Sequence, residues 1–146
     1  MRAVPLSAAP DPSYEPCFFL DRFGLAVSHL KGIPSVTAAL DDRLPAGVGL
    51  SIASVAELWE GVLYSRNPAK SQANLERFLH VVEVLEMDQA TCRKFGELRG
   101  MLRKQGMRIG DFDILIAATA LQLDLTLLTN NRRHFERIPG LRIESL

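Results

Sequence analysis

Several functional classes are excluded by what this chain holds little of. Cysteine occurs twice, as Cys17 and Cys92. That is too few for a disulfide scaffold, and there is no metal spacing such as C-x-x-C. Both are expected to be reduced and buried in a cytoplasmic protein, since free cysteine packs as a small hydrophobe. The three histidines, His29, His80 and His134, are scattered and form no zinc motif. No uninterrupted apolar run approaches the ~20 residues that span a bilayer, so no membrane partner is expected. Excess charge is missing too: 17 basic and 17 acidic side chains cancel. Any contact with nucleic acid must therefore come from local clusters of Lys and Arg.

What remains is an ordinary globular composition, 47% hydrophobic and 23% charged over 146 residues, the size of one domain with one well-buried core. Residues 1–16 contain four prolines and several small residues and read as a flexible leader. The domain is expected over 17–146.

Within it, short apolar runs alternate with helical patterns. Cys17–Leu20 reads as a strand ending in Asp21, Val48–Ile52 as a second, Val84–Met87 as a third, Leu125–Thr129 as a fourth and Arg142–Glu144 as a fifth. Helices are expected over 24–30, 35–44 and 53–66. Another starts at Asn67-Pro68, an Asn cap followed by a first-turn proline. Its Leu75, Phe78, Leu79 and Val82 form one buried stripe. Further helices are expected over 88–105 and 111–123, with a helical turn at 131–136. Strand–helix alternation argues for a parallel sheet covered on both faces, and such sheets bind ligands beyond the carboxyl ends of their strands.

Acidic residues fall at those ends. Asp21 follows the first strand, where capping the next helix is the simpler role. Glu57 lies in the helix after the second strand, where an exposed first-turn glutamate would be unremarkable. Asp113 enters a helix that is apolar on nearly every side; such a helix is buried, and a carboxylate in it needs a partner. Asp111 is the natural N-cap of that helix and is kept as an outer contributor. Thr129-Asn130-Asn131 follows the fourth strand; it is either an ordinary polar turn or a source of an amide oxygen from Asn131. Taken together, clustered carboxylates require a cation, and oxygen donors suit Mg²⁺ or Mn²⁺ rather than zinc.

The blocks Phe19-Leu20-Asp21, Ser51-Ile52-Ala53-Ser54-Val55-Ala56-Glu57-Leu58-x-x-Gly61, Asp113-Ile114-Leu115-Ile116-Ala117-Ala118-Thr119-Ala120 and Leu128-Thr129-Asn130-Asn131, in that order, resemble the PIN-domain family, closest to the VapC-like toxins of type II toxin–antitoxin modules. The resemblance implies a three-layer α/β/α fold around a mainly parallel sheet of about five strands. It implies metal-dependent endonucleolytic cleavage of RNA, inhibition by a cognate antitoxin, and a homodimer. Asp21, Glu57 and Asp113 take the metal-binding acidic positions, and Asn131 falls where many relatives carry a fourth acid. The catalytic set would then be Asp21, Glu57, Asp113 and Asn131, with Asp111 and Thr129 outside it.

Two positions depart from the family pattern. Arg22 and Phe23 stand where a Thr or Ser and a small polar residue usually follow the first Asp. Arg22 is open to two roles, pairing with Asp21 or contacting a substrate phosphate. The departures motivate an alternative, a catalytically weak PIN domain acting as an antitoxin- or RNA-binding module. Further phosphate contacts would come from Arg132 and Arg133. The basic stretch on the preceding helix, from Arg93 to Arg108, is as readily a solvated face. Trp59 and Tyr64, if exposed, would anchor an antitoxin segment.

Overall fold

The computed structural model describes residues 18–21 and 25–146. The leader, Cys17, Arg22, Phe23 and the expected helix start at Gly24 lie outside the described residues. Strands β1 (Phe18–Leu20), β2 (Val48–Ser51), β3 (Glu83–Leu85), β4 (Thr126–Leu128) and β5 (Ile143–Glu144) form one sheet in the order β3-β2-β1-β4-β5. All four pairings are parallel. Helices α1 (Val27–Leu30) and α2 (Pro34–Asp41) connect β1 to β2. Helices α3 (Ile52–Leu63) and α4 (Pro68–Leu79) connect β2 to β3. Helices α5 (Gln89–Lys104) and α6 (Asp111–Gln122) connect β3 to β4, and α7 (Arg132–Phe135) leads from β4 to β5.

Strand side chains alternate between faces, and the buried residues sort accordingly. Phe19, Leu85 and Leu127 pack with Leu98, Leu102, Ile114 and Ile116 of α5 and α6. Leu20, Leu50 and Leu128 pack with Leu25, Leu40, Leu58, Leu75 and Phe78 on the opposite side. The result is the expected three-layer α/β/α arrangement, with strands that are apolar on both faces because both are covered. At Gly49 the packing is close: a Cβ there would stand 2.6 Å from Leu85 Cδ1, so the Leu85 side chain would have to move.

The helix starts follow the capping chemistry in the sequence. Ser51 Oγ accepts from Ala53 N at 3.1 Å, Asn67 Oδ1 from Lys70 N at 3.1 Å and Asp88 Oδ1 from Thr91 N at 2.8 Å, each satisfying an amide that the first turn leaves free. Two expectations are corrected. Gly110, not Asp111, is the N-cap of α6; Asp111 stands one position inside the helix and is forked by Arg99, Nε to Oδ1 at 2.8 Å and Nη2 to Oδ2 at 3.3 Å. Cys92 is exposed rather than buried, because α5 turns Leu98 and Leu102 inward and Cys92 falls on its solvent side.

Candidate metal centre at the strand switch point

The chain builds outward from β1 through β2 to β3, then returns to the other side of β1 with β4. The crevice between the carboxyl ends of β1 and β4 is therefore the topological switch point, where open α/β sheets place their ligands. Register puts Leu20 beside Leu128, so the next residues, Asp21 and Thr129, emerge side by side.

Asp21 is 3% exposed. Its N–H donates to Leu128 O at 3.1 Å, its Oδ1 accepts from Leu25 N at 3.2 Å, and its Oδ2 accepts from the Thr129 hydroxyl. The carboxylate accepts from the Leu25 amide but is not the N-cap of α1, which is Ala26, and its other oxygen faces the crevice neighbour. Thr129 is completely buried. Its N–H donates to Glu144 O at 3.0 Å, while its Oγ1 accepts from Asn131 N, also at 3.0 Å. One threonine therefore fixes both Asp21 and the loop that carries Asn131.

Asp113 is the third residue of α6 and 9% exposed. It stands in the first turn of the helix. The buried run Ile114, Ile116, Ala117, Ala118 and Ala120 behind it holds the helix against the sheet. The partner that a carboxylate needs in this position includes His134, whose Nδ1 lies 3.1 Å from Asp113 Oδ2. The same nitrogen lies 3.0 Å from Asn131 Nδ2. With its proton on Nδ1 the ring donates to Asp113; with the proton on Nε2 it accepts from the Asn131 amide. A polar chain thus runs Asp21–Thr129–Asn131 and meets His134, whose Nδ1 bonds either the Asn131 amide or the Asp113 carboxylate, not both at once.

His134 is the residue that sequence reasoning passed over. Its signal was its spacing, three residues after Asn131 on a helical turn, which sets the two side chains on one face. What remained hidden was that this face looks onto the start of α6.

Glu57 comes from the helix that follows β2. It sits in the middle of α3, half-buried, and lines a cavity of about 430 Å³ between α1, α3 and α4 together with Leu30, Leu58, Val62, Tyr64 and Leu75. Among the described residues no three His, Cys, Asp or Glu side chains converge as a ready-made metal cage. The donor chemistry nonetheless fits a hard dication: two buried carboxylates near the switch point, with the Thr129 hydroxyl beside Asp21. Asp111 faces Arg99 instead. Arg132 and Arg133 are exposed at the start of α7, next to Asn131, and Arg132 Nη1 reaches Ser145 Oγ at 3.3 Å. On α5, Arg93 and Lys94 pair with Glu97, which favours the solvated-face reading for that part of the helix.

Comparison with known proteins identifies the family and the fold. The family model for the PIN domain matches residues 20–141. Ribonuclease VapC2 of Rickettsia felis is 37% identical over 98 residues, 67% of this chain and 73% of that protein. The tRNA(fMet)-specific endonuclease VapC of Shigella flexneri is 38% identical over 95 residues, 65% of this chain and 72% of that one. Among solved structures, VapBC2 from Rickettsia felis bound to a promoter DNA fragment superposes with a TM-score of 0.83 at 31% identity, covering 88% of this chain and 98% of the other. VapBC-1 from nontypeable Haemophilus influenzae gives 0.78 at 30% identity, covering 88% and 96%. With its motif blocks in order, its parallel sheet of matching topology and its acids at the switch point, this chain belongs to the PIN-domain family and is VapC-like.

Proposed function

We propose that this chain is a metal-dependent endoribonuclease, the toxin of a type II toxin–antitoxin pair, working in the cytoplasm and hydrolysing RNA phosphodiester bonds with Mg²⁺ or Mn²⁺. The observation that carries the reading is the pair of buried carboxylates, Asp21 bonded by Thr129 and Asp113 beside His134, with Asn131 in contact with both of those neighbours. The curated relatives named as a ribonuclease and an RNA-specific endonuclease support it.

Asp21, Glu57 and Asp113 would hold the cation. A divalent ion in such a site neutralises charge on a phosphate and lowers the pKa of water. The chain's own work is positioning. Thr129 and the Leu25 amide fix the Asp21 carboxylate. Asn131, anchored through its backbone to Thr129, presents its amide to water or substrate. Arg132 and Arg133 would meet the RNA backbone, and Arg22 is assigned to the same role.

The antitoxin belongs to the same reading, supported by the VapBC complexes among the structural neighbours. The apolar cavity between α1, α3 and α4 offers it a seat, with Tyr64 at the rim, 84% exposed. Trp59 lies outside that lining and is 37% exposed. A homodimer completes the assembly.

Cleavage of a tRNA pool by the purified chain with Mg²⁺ or Mn²⁺ tests the proposal. Asp113→Asn is expected to lower the rate by at least about 100-fold with an unchanged circular dichroism spectrum. Cleavage that persists in Asp113→Asn, or that ignores chelator, would refute the assignment.

A further inference from the structure

His134 and Asp113 face each other in a way that a plain hydrogen bond does not exhaust. The separation between His134 Nδ1 and Asp113 Oδ2 is 3.1 Å. Two donors bound at right angles to one cation, on bonds of about 2.1 Å, stand about 3.0 Å apart. The 3.1 Å separation is that of a hydrogen bond, and it is also short enough for the two atoms to share one cation. The imidazole is not committed elsewhere by burial: its side chain is 49% exposed, against 13% for Asp113. Its second neighbour, Asn131 Nδ2 at 3.0 Å, approaches the same nitrogen, an amide contact that a cation on that nitrogen would displace.

We propose that His134 is a nitrogen ligand of the metal seat, and that it turns a site of oxygen donors toward Mn²⁺ at the expense of Mg²⁺. The inference rests on the metal-dependent reading above and adds to it the donor that sets metal preference. Its physical basis is ligand softness. Mg²⁺ dehydrates reluctantly and takes oxygen almost exclusively, whereas an imidazole nitrogen suits the first-row transition metals. The carboxylate of Asp113 serves either ion. The neighbouring nitrogen serves Mn²⁺ better, so one residue of α7, outside the acidic motif blocks, decides between them.

The test is titration of the full chain with Mn²⁺ alone and Mg²⁺ alone by calorimetry, for wild type, His134→Gln and His134→Glu. Electron spin-echo spectroscopy of the Mn²⁺-loaded samples accompanies it. Wild type is expected to bind Mn²⁺ more tightly and to show modulation from a coupled ¹⁴N nucleus. In His134→Gln the Mn²⁺ affinity falls about tenfold, the Mg²⁺ affinity barely moves and the ¹⁴N modulation disappears. His134→Glu restores an oxygen donor and shifts the preference toward Mg²⁺. Equal losses for both ions in His134→Gln, or ¹⁴N modulation that survives it, would overturn the proposal while leaving the metal reading intact. Wild type that binds neither ion at millimolar concentration would overturn both.

Discussion

The two faces of the sheet are closed to different degrees. On one, α5 and α6 seal the strands: Ile116, Ala117, Ala118, Ala120 and Leu127 are all wholly inaccessible. On the other, α1, α3 and α4 cover the strands but leave the cavity bounded by Leu30, Leu58, Val62 and Leu75, with Leu63 and Tyr64 exposed beside it. Asp113 belongs to the sealed face and Glu57 to the open one. The sealed face can hold a carboxylate rigidly because α6 cannot shift without disturbing close-packed neighbours. The open face keeps apolar surface available for another chain, and any occupant would reach the wall that carries Glu57.

The sharpest test of that difference is a pair of truncations followed by urea denaturation. Ile116→Ala should cost toward the upper end of about 2–5 kcal/mol, because the sealed face leaves an enclosed void. Leu58→Ala, which opens onto an existing cavity, should cost about 2 kcal/mol or less. Equal costs would mean that the faces are equally closed. Next in size is Tyr64→Ala, expected to weaken antitoxin binding about tenfold while stability changes by no more than about 0.5 kcal/mol. Unchanged affinity would move the docking surface off the open face.

The smallest effect concerns pH. His29 of α1 packs its ring 5.0 Å from that of Phe78, and its Nδ1 finds no hydrogen-bond partner among the described residues. Burial holds its pKa below the ordinary 6.5, with Asp41 pulling weakly the other way. The unfolded chain therefore binds a proton that the folded chain resists. Its contribution to stability is complete above about pH 6.5 and declines as the pH falls through that value. His29→Phe should flatten this part of the stability profile on the open face. A slope that persists in the variant would assign it to another group.

Much of the architecture was legible because each element carries its own local chemistry. Asn67-Pro68 and Asp88 mark helix starts that the structure confirms. The unbroken apolarity after Asp113 announced a helix buried on every side. Boundaries were less secure where one element runs into the next: the third strand was expected over 84–87 and lies at Glu83–Leu85, since Val84 and Leu85 alone distinguish its faces. Asp111 was misread because Asp is a good cap, and only the nearby Arg99 shows why it stands inside the helix instead. Spacing put His134 on the face of Asn131 but not against α6, and it could not show the α1–α3–α4 cavity. The first depends on α7 meeting α6 across 21 residues of sequence; the second is a concavity produced by three helices, none of which is concave.

The buried hydroxyl of Thr129 sets a clock on the molecule. β1, which carries Asp21, is made early, yet it is central in the sheet, and its neighbour on one side is β4. Until residues 126–129 have been synthesised, Asp21 lacks the strand that flanks it and the hydroxyl that fixes its carboxylate. Thr129 in turn leans on the Glu144 carbonyl. While the ribosome is still working toward residue 144, the emerging polypeptide holds its acids without the crevice that joins them. The two acids therefore come together only once the carboxyl-terminal strands have folded beside β1.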